Sequence, residues 1–344
     1  MGTESNRRMS SDQGTKRIGI LCSGGDAPGM NACVRGAVRT ASDLGHEVVG
    51  IMRGYEGLIN RKFWRDPNGQ DLLTAFRVAS WSGHGGAHLR SSRCEEFRTL
   101  EGRQKAVQVL QDNKIDALIP IGGNGTIAGA LALSETWDGQ IVACPGTIDN
   151  DLFGTDYTIG FSTAVETAVQ AVDRIRDTAS SHDRMFLIEV MGRHSGYIAL
   201  YTALASGADV VAIPETDTNF PEIVSHLKRL KGGGRMMAIM IVAEGDEKGG
   251  AVAINEQLQA HGCPFATRTI VLGHMQRGGA PTPEDRRRAT HLGAAAVNAI
   301  IAGETCVMVG TADDDTVLTP LVEAIKAHRP VPDSLLKLLE QIQL

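Results

Sequence analysis

Asp149 and Asp151 stand two residues apart in PGTIDND, Pro145 to Asp151, beside the hydroxyl of Thr147 and a glycine turn. In an extended segment that spacing turns both carboxylates the same way. One can abstract a proton while the other orients a cation or its water shell. The heptapeptide follows a short run, IVAC (141–144), so it stands where a strand delivers its end to a ligand. Gly, Asn and Asp also build plain turns with solvated acids, and the motif alone leaves both readings open.

Two glycine-rich stretches share the same kind of position. SGGDAPGMN, Ser23 to Asn31, follows the run RIGILC, and GGNGT, Gly122 to Thr126, follows DALIPI; each opens a helix. Backbone amides can approach an anion there, and a helix start adds partial positive charge. Neither stretch fits the Walker pattern or a dinucleotide fingerprint. Basic side chains occur in loop-like contexts: Arg90 and Arg93 in HLRSSRC, Arg184 near His182, Arg193 in MGRHSG, Arg268, and His274 with Arg277 in GHMQRGG. A surface ion pair is the ordinary fate of any one of them, yet the guanidinium fork suits phosphate oxygens. Taken with two anion cradles and an acid pair, they make phosphoryl transfer between two phosphate-bearing molecules the economical account.

The elements that must position these residues alternate along the chain. Apolar β-rich runs fall at 17–22, 47–52, 116–121, 141–144, 185–191, 209–213, 236–243, 268–273 and 306–310. Helical patterns fall at 30–42, 163–178, 195–206, 220–230 and 283–301. Ala164, Val165, Ala168, Val169 and Val172 give the second of these one apolar face. The alternation predicts an α/β protein, and nine or so strands are too many for one sheet of this kind. We therefore expect two Rossmann-like three-layer α/β/α domains with mostly parallel sheets and the active site in the cleft between them.

At 344 residues the chain exceeds the length at which one core usually divides. A hydrophobic fraction of 42 % and a charged fraction of 22 % are ordinary for a soluble enzyme, and 40 glycines point to many tight turns. The net charge of −6 gives no reason to expect a nucleic-acid partner, so phosphates must be met locally. Six cysteines, at 22, 33, 94, 144, 263 and 306, lack zinc-ligand spacing and fit reduced thiols in a cytoplasmic protein. Residues 1–16 are polar, lack the apolar core of a signal peptide, and read as a disordered leader. No run is long enough to span a membrane.

From Arg17 onward the chain resembles a bacterial-type 6-phosphofructokinase of the ATP-dependent phosphofructokinase A family. The motifs that carry the resemblance are GGDAPGMN, PGTIDND, GTDYTIGF, SSHDR, EVMGRHSG and GHMQRGG. It implies transfer of the γ-phosphoryl of ATP to the 1-hydroxyl of fructose 6-phosphate, with magnesium, and a larger nucleotide-binding domain over 17–160 plus 276–325. A smaller sugar-phosphate domain would take 161–275 plus 326–344. Residue by residue, the resemblance implies Asp149 as base, with Arg93 and Arg193 completing the catalytic set. Gly25, Tyr55, Arg93, Cys94, Gly123, Asn124, Gly125, Thr126 and Gly129 would face the nucleotide. Thr147, Asp149, Met191, Gly192, Arg193, Glu244, His274 and Arg277 would hold the sugar phosphate. Arg184 and Arg268 match arginines that reach in from a neighbouring subunit, which implies a homo-oligomer, commonly a tetramer.

The sequence departs from the family at two places. Asn124 stands where the family has an Asp that, with the counterpart of Asp151, helps hold magnesium; we expect an active enzyme with a raised magnesium requirement. Arg35, Arg39, Arg176 and Asp209 match an effector site, but its lysine pair appears only as GGGR, 232–235, so a weak or altered effector response is expected. Pyrophosphate-dependent relatives carry Asp and Lys where this chain has Gly125 and Gly146, which favours ATP as donor on steric and charge grounds. The alternatives are a pyrophosphate-dependent enzyme and a catalytically silent regulatory paralogue.

Overall fold

The computed structural model describes residues 14–342, so most of the expected leader lies outside the described residues. The first part of the chain forms β1 (Arg17–Cys22), α1 (Met30–Asp43), β2 (Glu47–Ile51), α2 (Gly54–Ile59), α3 (Leu100–Asp112) and β3 (Ala117–Gly122). It continues through α4 (Asn124–Ser134), β4 (Gln140–Thr147), β5 (Ile159–Gly160), α5 (Phe161–Ser180), β6 (Arg184–Val190) and α6 (Tyr197–Ser206). Then come β7 (Val210–Ala212), α7 (Phe220–Gly232), β8 (Ala238–Ala243), α8 (Ala251–Ala260) and β9 (Ala266–Val271). The last elements are α9 (Pro283–Ile301), β10 (Val307–Ala312), β11 (Asp315–Pro320), α10 (Leu321–Ala324) and α11 (Asp333–Ile342).

Among the described residues the strands make two sheets. One has seven strands in the order β11-β10-β4-β3-β1-β2, with β5 beside β4; the other has four in the order β7-β8-β6-β9. All pairings are parallel except the β10–β11 hairpin. These are the mostly parallel three-layer α/β/α units expected from the alternation of runs. The layering follows from side-chain alternation along each strand. In β1, Ile18, Ile20 and Cys22 join one apolar cluster while Leu21 joins another with Leu110 and Ile127. In β6, Phe186, Ile188 and Val190 enter the first cluster, and Met185 and Leu187 pack on a third. A strand buried on both faces needs helices on both, and this is why the runs are continuous rather than half polar.

The cluster shared by β1 and β6 also takes in α1, α5, α6 and α9. α9 begins where the sequence predicts, because Thr282 caps its first turn by accepting from the Asp285 N–H at 3.2 Å and Pro283 follows. It crosses α1 at very short range. A Cβ on Gly36 would collide with the carbonyl of Thr290, and one on Gly293 with that of Cys33, so the two helices meet backbone to backbone. No helix among the described residues is long and apolar enough to cross a membrane. All six cysteines are free thiols.

Candidate active site

In the seven-stranded sheet the chain moves outward in both directions from β1, to β2 on one side and to β3 and β4 on the other. Ligands collect at such a switch point, beyond the strands' carboxyl ends. The loops after β1, β3 and β4 converge there and surround a cavity of about 460 Å³. Its wall contains Gly25, Tyr55, Arg93, Cys94, Gly123, Asn124, Gly125, Thr126 and Gly129, and also Thr147, Asp149, Asp151, Arg193 and Arg277. Arg193 and Arg277 come from the four-stranded sheet, from the turns after β6 and β9, so both sheets contribute.

The two acids meet by a route that the period-2 reading did not foresee. β4 runs on through Pro145 and Gly146 to Thr147, and Gly146 pairs with Ile159 rather than forming a turn. The turn lies later, at Asn150, whose φ of 53° is left-handed. Asn150 is buried and accepts the Thr158 N–H at 2.8 Å. This reversal, not extended alternation, brings Asp149 and Asp151 to one cavity. Both are buried, and Oδ1 of each has no hydrogen-bond partner. Burial and then the Asp151 charge push the Asp149 carboxyl up to about 6, against the pull of Arg277 and Arg193. A buried carboxylate oxygen without a partner suits a proton or a cation.

The supporting contacts are specific. Ser195 donates to the Asp149 carbonyl at 2.9 Å, and Thr158 to that of Thr147 at 2.6 Å. The Asn124 amide donates to Oδ2 of Asp151 at 2.7 Å. Arg277 donates to the carbonyl of Asp26 at 3.1 Å, and the Arg193 N–H to Oε1 of Glu244 at 2.9 Å. Among the described residues Arg93, Arg193 and Arg277 form no ion pair, which leaves their guanidinium charges available to an anion. Asn124 and Gly125 open α4 with their N-terminal amides toward the cavity, an added pull on phosphate.

A sequence model described as phosphofructokinase matches residues 17–300. The chain belongs to the phosphofructokinase family. It is 49 % identical over 330 residues to ATP-dependent 6-phosphofructokinase 1 of Thermus thermophilus, covering 96 % of this chain and 100 % of that one. It is 43 % identical to ATP-dependent 6-phosphofructokinase 2 of Bacteroides thetaiotaomicron, over 96 % of this chain and 99 % of the other. The solved structure of phosphofructokinase from Saccharomyces cerevisiae superposes with a TM-score of 0.83 at 34 % identity, covering 96 % of this chain and 47 % of that longer one.

Other residues singled out in the sequence lie outside the wall of this phosphofructokinase cavity. Met191 and Gly192 are buried, the Met191 N–H donating to Gln276 at 2.8 Å. Glu244 and His274 are exposed at the carboxyl ends of β8 and β9. Arg268 is exposed on β9, and Arg184 opens β6 at the end away from the cavity. Of the expected effector residues, Arg35 and Arg39 lie on α1, and Arg176 donates to the Ser206 carbonyl at 2.5 Å. Asp209, just before β7, pairs with Arg235 at 2.8 Å.

The cavity also recruits residues that the sequence reading passed over: Phe97, Arg98, Arg103, Ala128 and Ala132. Phe97 stacks on Tyr55 with ring centroids 4.0 Å apart, and Tyr55 donates to the Thr126 carbonyl at 2.7 Å. A signal was present in FRTLEGR, where Thr99 caps α3 by accepting from the Gly102 N–H and sets an arginine on either side of the cap.

Proposed function

We infer that this chain transfers the γ-phosphoryl group of ATP to the 1-hydroxyl of fructose 6-phosphate, giving fructose 1,6-bisphosphate and ADP. The observation that carries the residue assignment is the Asp149 carboxyl, buried, pushed up to about 6 and facing a cavity lined by glycines and arginines. In this reading Asp149 takes the proton of the sugar hydroxyl as that oxygen bonds to phosphorus, and the bond from phosphorus to the bridging oxygen breaks. Arg93 and Arg193 offset the charge that moves with the phosphoryl group. Arg277, His274 and Glu244 hold the sugar phosphate, and Tyr55, Gly123 and Gly125 face the nucleotide.

Magnesium, bound with the nucleotide, would neutralise phosphate charge and orient the transferred group. The Asp151 carboxylate, with Oδ1 unpartnered and the Asn124 amide on Oδ2, fits a cation, and these two residues would hold it. ATP is favoured over pyrophosphate because a Cβ at Gly125 meets nothing within 4 Å, so the space that an aspartate would fill there stays open to the nucleotide.

The division into a nucleotide domain, 17–160 plus 276–325, and a sugar-phosphate domain, 161–275 plus 326–344, is part of the same proposal. So is a homo-oligomer. Arg184 stands at the amino end of β6, about 20 Å along the strand from the cavity end. It cannot serve its own site, and with Arg268 on the exposed edge strand β9 it is suited to a neighbour's. Assaying fructose 6-phosphate phosphorylation with ATP and with pyrophosphate tests the reading. Turnover with ATP and none with pyrophosphate is expected; binding of both substrates without product would support a silent regulatory protein instead.

A further inference from the structure

His328 has no role in the account so far, yet its imidazole reaches the acid pair. Its Nδ1 lies 3.3 Å from Oδ2 of Asp151, the oxygen that also accepts the Asn124 amide at 2.7 Å. The other oxygen of Asp151 is buried and has no hydrogen-bond partner. Two side chains from widely separated parts of the chain, Asn124 and His328, thus converge on one oxygen of a carboxylate whose other oxygen is unsatisfied. The backbone fixes the imidazole in this place. His328 bridges to Leu152, and the next residue, Arg329, donates its N–H to the Asp151 carbonyl at 2.9 Å. The Arg329 guanidinium then covers the Tyr197 ring at 5.1 Å, and Tyr197 donates to the Pro330 carbonyl at 2.8 Å.

Adjacent donors on an octahedral cation with bonds of about 2.1 Å stand about 3 Å apart. Separations of 2.7 and 3.3 Å bracket that figure. Turning the Asn124 amide over presents its oxygen where the nitrogen now lies. We propose that His328 supplies an imidazole nitrogen to the divalent cation at Asp151, so that this site selects manganese or cobalt over magnesium. Magnesium wants charged, hard oxygen donors, and an amide in place of a carboxylate removes one negative charge. An imidazole nitrogen is taken more readily by first-row transition ions, cobalt more than manganese, than by magnesium. The inference rests on the placement of the cation at Asp151 proposed above.

The test uses the full chain with a non-hydrolysable ATP analogue. Manganese binding is measured by electron paramagnetic resonance, magnesium by competition, and pulsed spectra of the bound manganese are searched for imidazole nitrogen modulation. The natural chain is expected to show that modulation. His328→Ala should erase it and weaken manganese binding about tenfold while magnesium affinity stays within about twofold. His328 is largely exposed, so the variant keeps its fold. Absence of the modulation in the natural chain, or equal manganese affinity in the variant, overturns the role of His328. Asp151→Asn separates the two layers of the argument. If it weakens manganese binding while His328→Ala does not, the cation placement stands and the histidine ligand falls; if it changes nothing, both fall.

Discussion

The Ser195 hydroxyl donates to the backbone carbonyl of Asp149 at 2.9 Å, joining the turn after β6 in one sheet to the loop after β4 in the other. Both residues are buried, so the bond has no competition from water. The position of the Asp149 carboxylate, the proposed base, therefore depends on how the two sheets sit together. Ser195→Ala should lower kcat about fivefold, the equivalent of one lost hydrogen bond of about 1 kcal/mol, with the KM for ATP nearly unchanged. Steady-state kinetics on the folded variant check this, and an unaltered kcat would mean that the carboxylate is held by its own loop alone.

Asp149 must be ionised to act as a base. With its carboxyl pushed up to about 6, the competent form dominates at pH 8 and falls tenfold per unit below about 6. A profile of kcat/KM for fructose 6-phosphate should show an acid limb of unit slope with its bend near pH 6. A flat profile down to pH 5 would remove Asp149 as the base of the free enzyme.

The same shift has a consequence for stability, with the sign set by linkage. The fold favours the protonated carboxyl, whereas the ordinary value is 3.8, so the stabilisation is complete below about 3.8 and lost as pH rises through about 6. Above that the ionised group works against folding, by an amount on the order of 1–3 kcal/mol. Asp149→Asn should therefore melt a few degrees higher than the natural chain at pH 8, with the gap closing toward pH 4. Its kcat should drop by roughly 10²–10⁴. Calorimetry at the two pH values, beside an activity assay, reads both; full turnover in the variant would end the proposed mechanism.

Asn124 donates to Asp151 where a carboxylate would repel it. Asn124→Asp adds a negative charge beside the proposed cation position and should lower the magnesium concentration needed for half-maximal rate several-fold. Identical magnesium titrations for the two chains would show that the amide costs nothing.

Gly125 and Gly146 answer differently to substitution. A Cβ at Gly125 meets nothing within 4 Å, so Gly125→Asp should fold normally, place negative charge in the cavity and raise the KM for ATP about tenfold or more. At Gly146 a Cβ comes within 3.0 Å of Ile121 and Met30, so Gly146→Lys should lower the melting temperature. The reverse pattern would place the open space of the nucleotide site at the wrong glycine.

The sequence made the parallel strands legible because each is an apolar run buried on both faces, and their observed limits differ from the expected ones by a few residues. β5 and β11 escaped notice for different reasons. β5 is only a two-residue pairing. β11 is a mostly exposed edge joined to β10 by Asp313 and Asp314, both at positive φ, a hairpin turn written without the glycine that usually marks it. α2 and α10 are short, and α3 and α8 carry few buried residues, those of α3 in a polar sequence. Within the site, the motif residues were legible because glycines and acids cluster locally. Arg98, Arg103 and His328 were not, since each reaches its neighbours only through the tertiary fold. The relation of Asp149 to Asp151 was foreseen in outcome but attributed to extended backbone, when a left-handed Asn150 produces it.

The contact between α1 and α9 also bears on how the polypeptide is made. During translation β1 to β4 emerge early, but α9, β10 and β11, which complete their side of the seven-stranded sheet, emerge only after β6 to β9. The four-stranded sheet is drawn from one uninterrupted stretch and has all its partners first. A nascent chain thus finishes its inner unit while the glycine-bearing face of α1 still waits for its mate. Mutations at that face should show themselves first as poor yield from the ribosome and only later as altered catalysis.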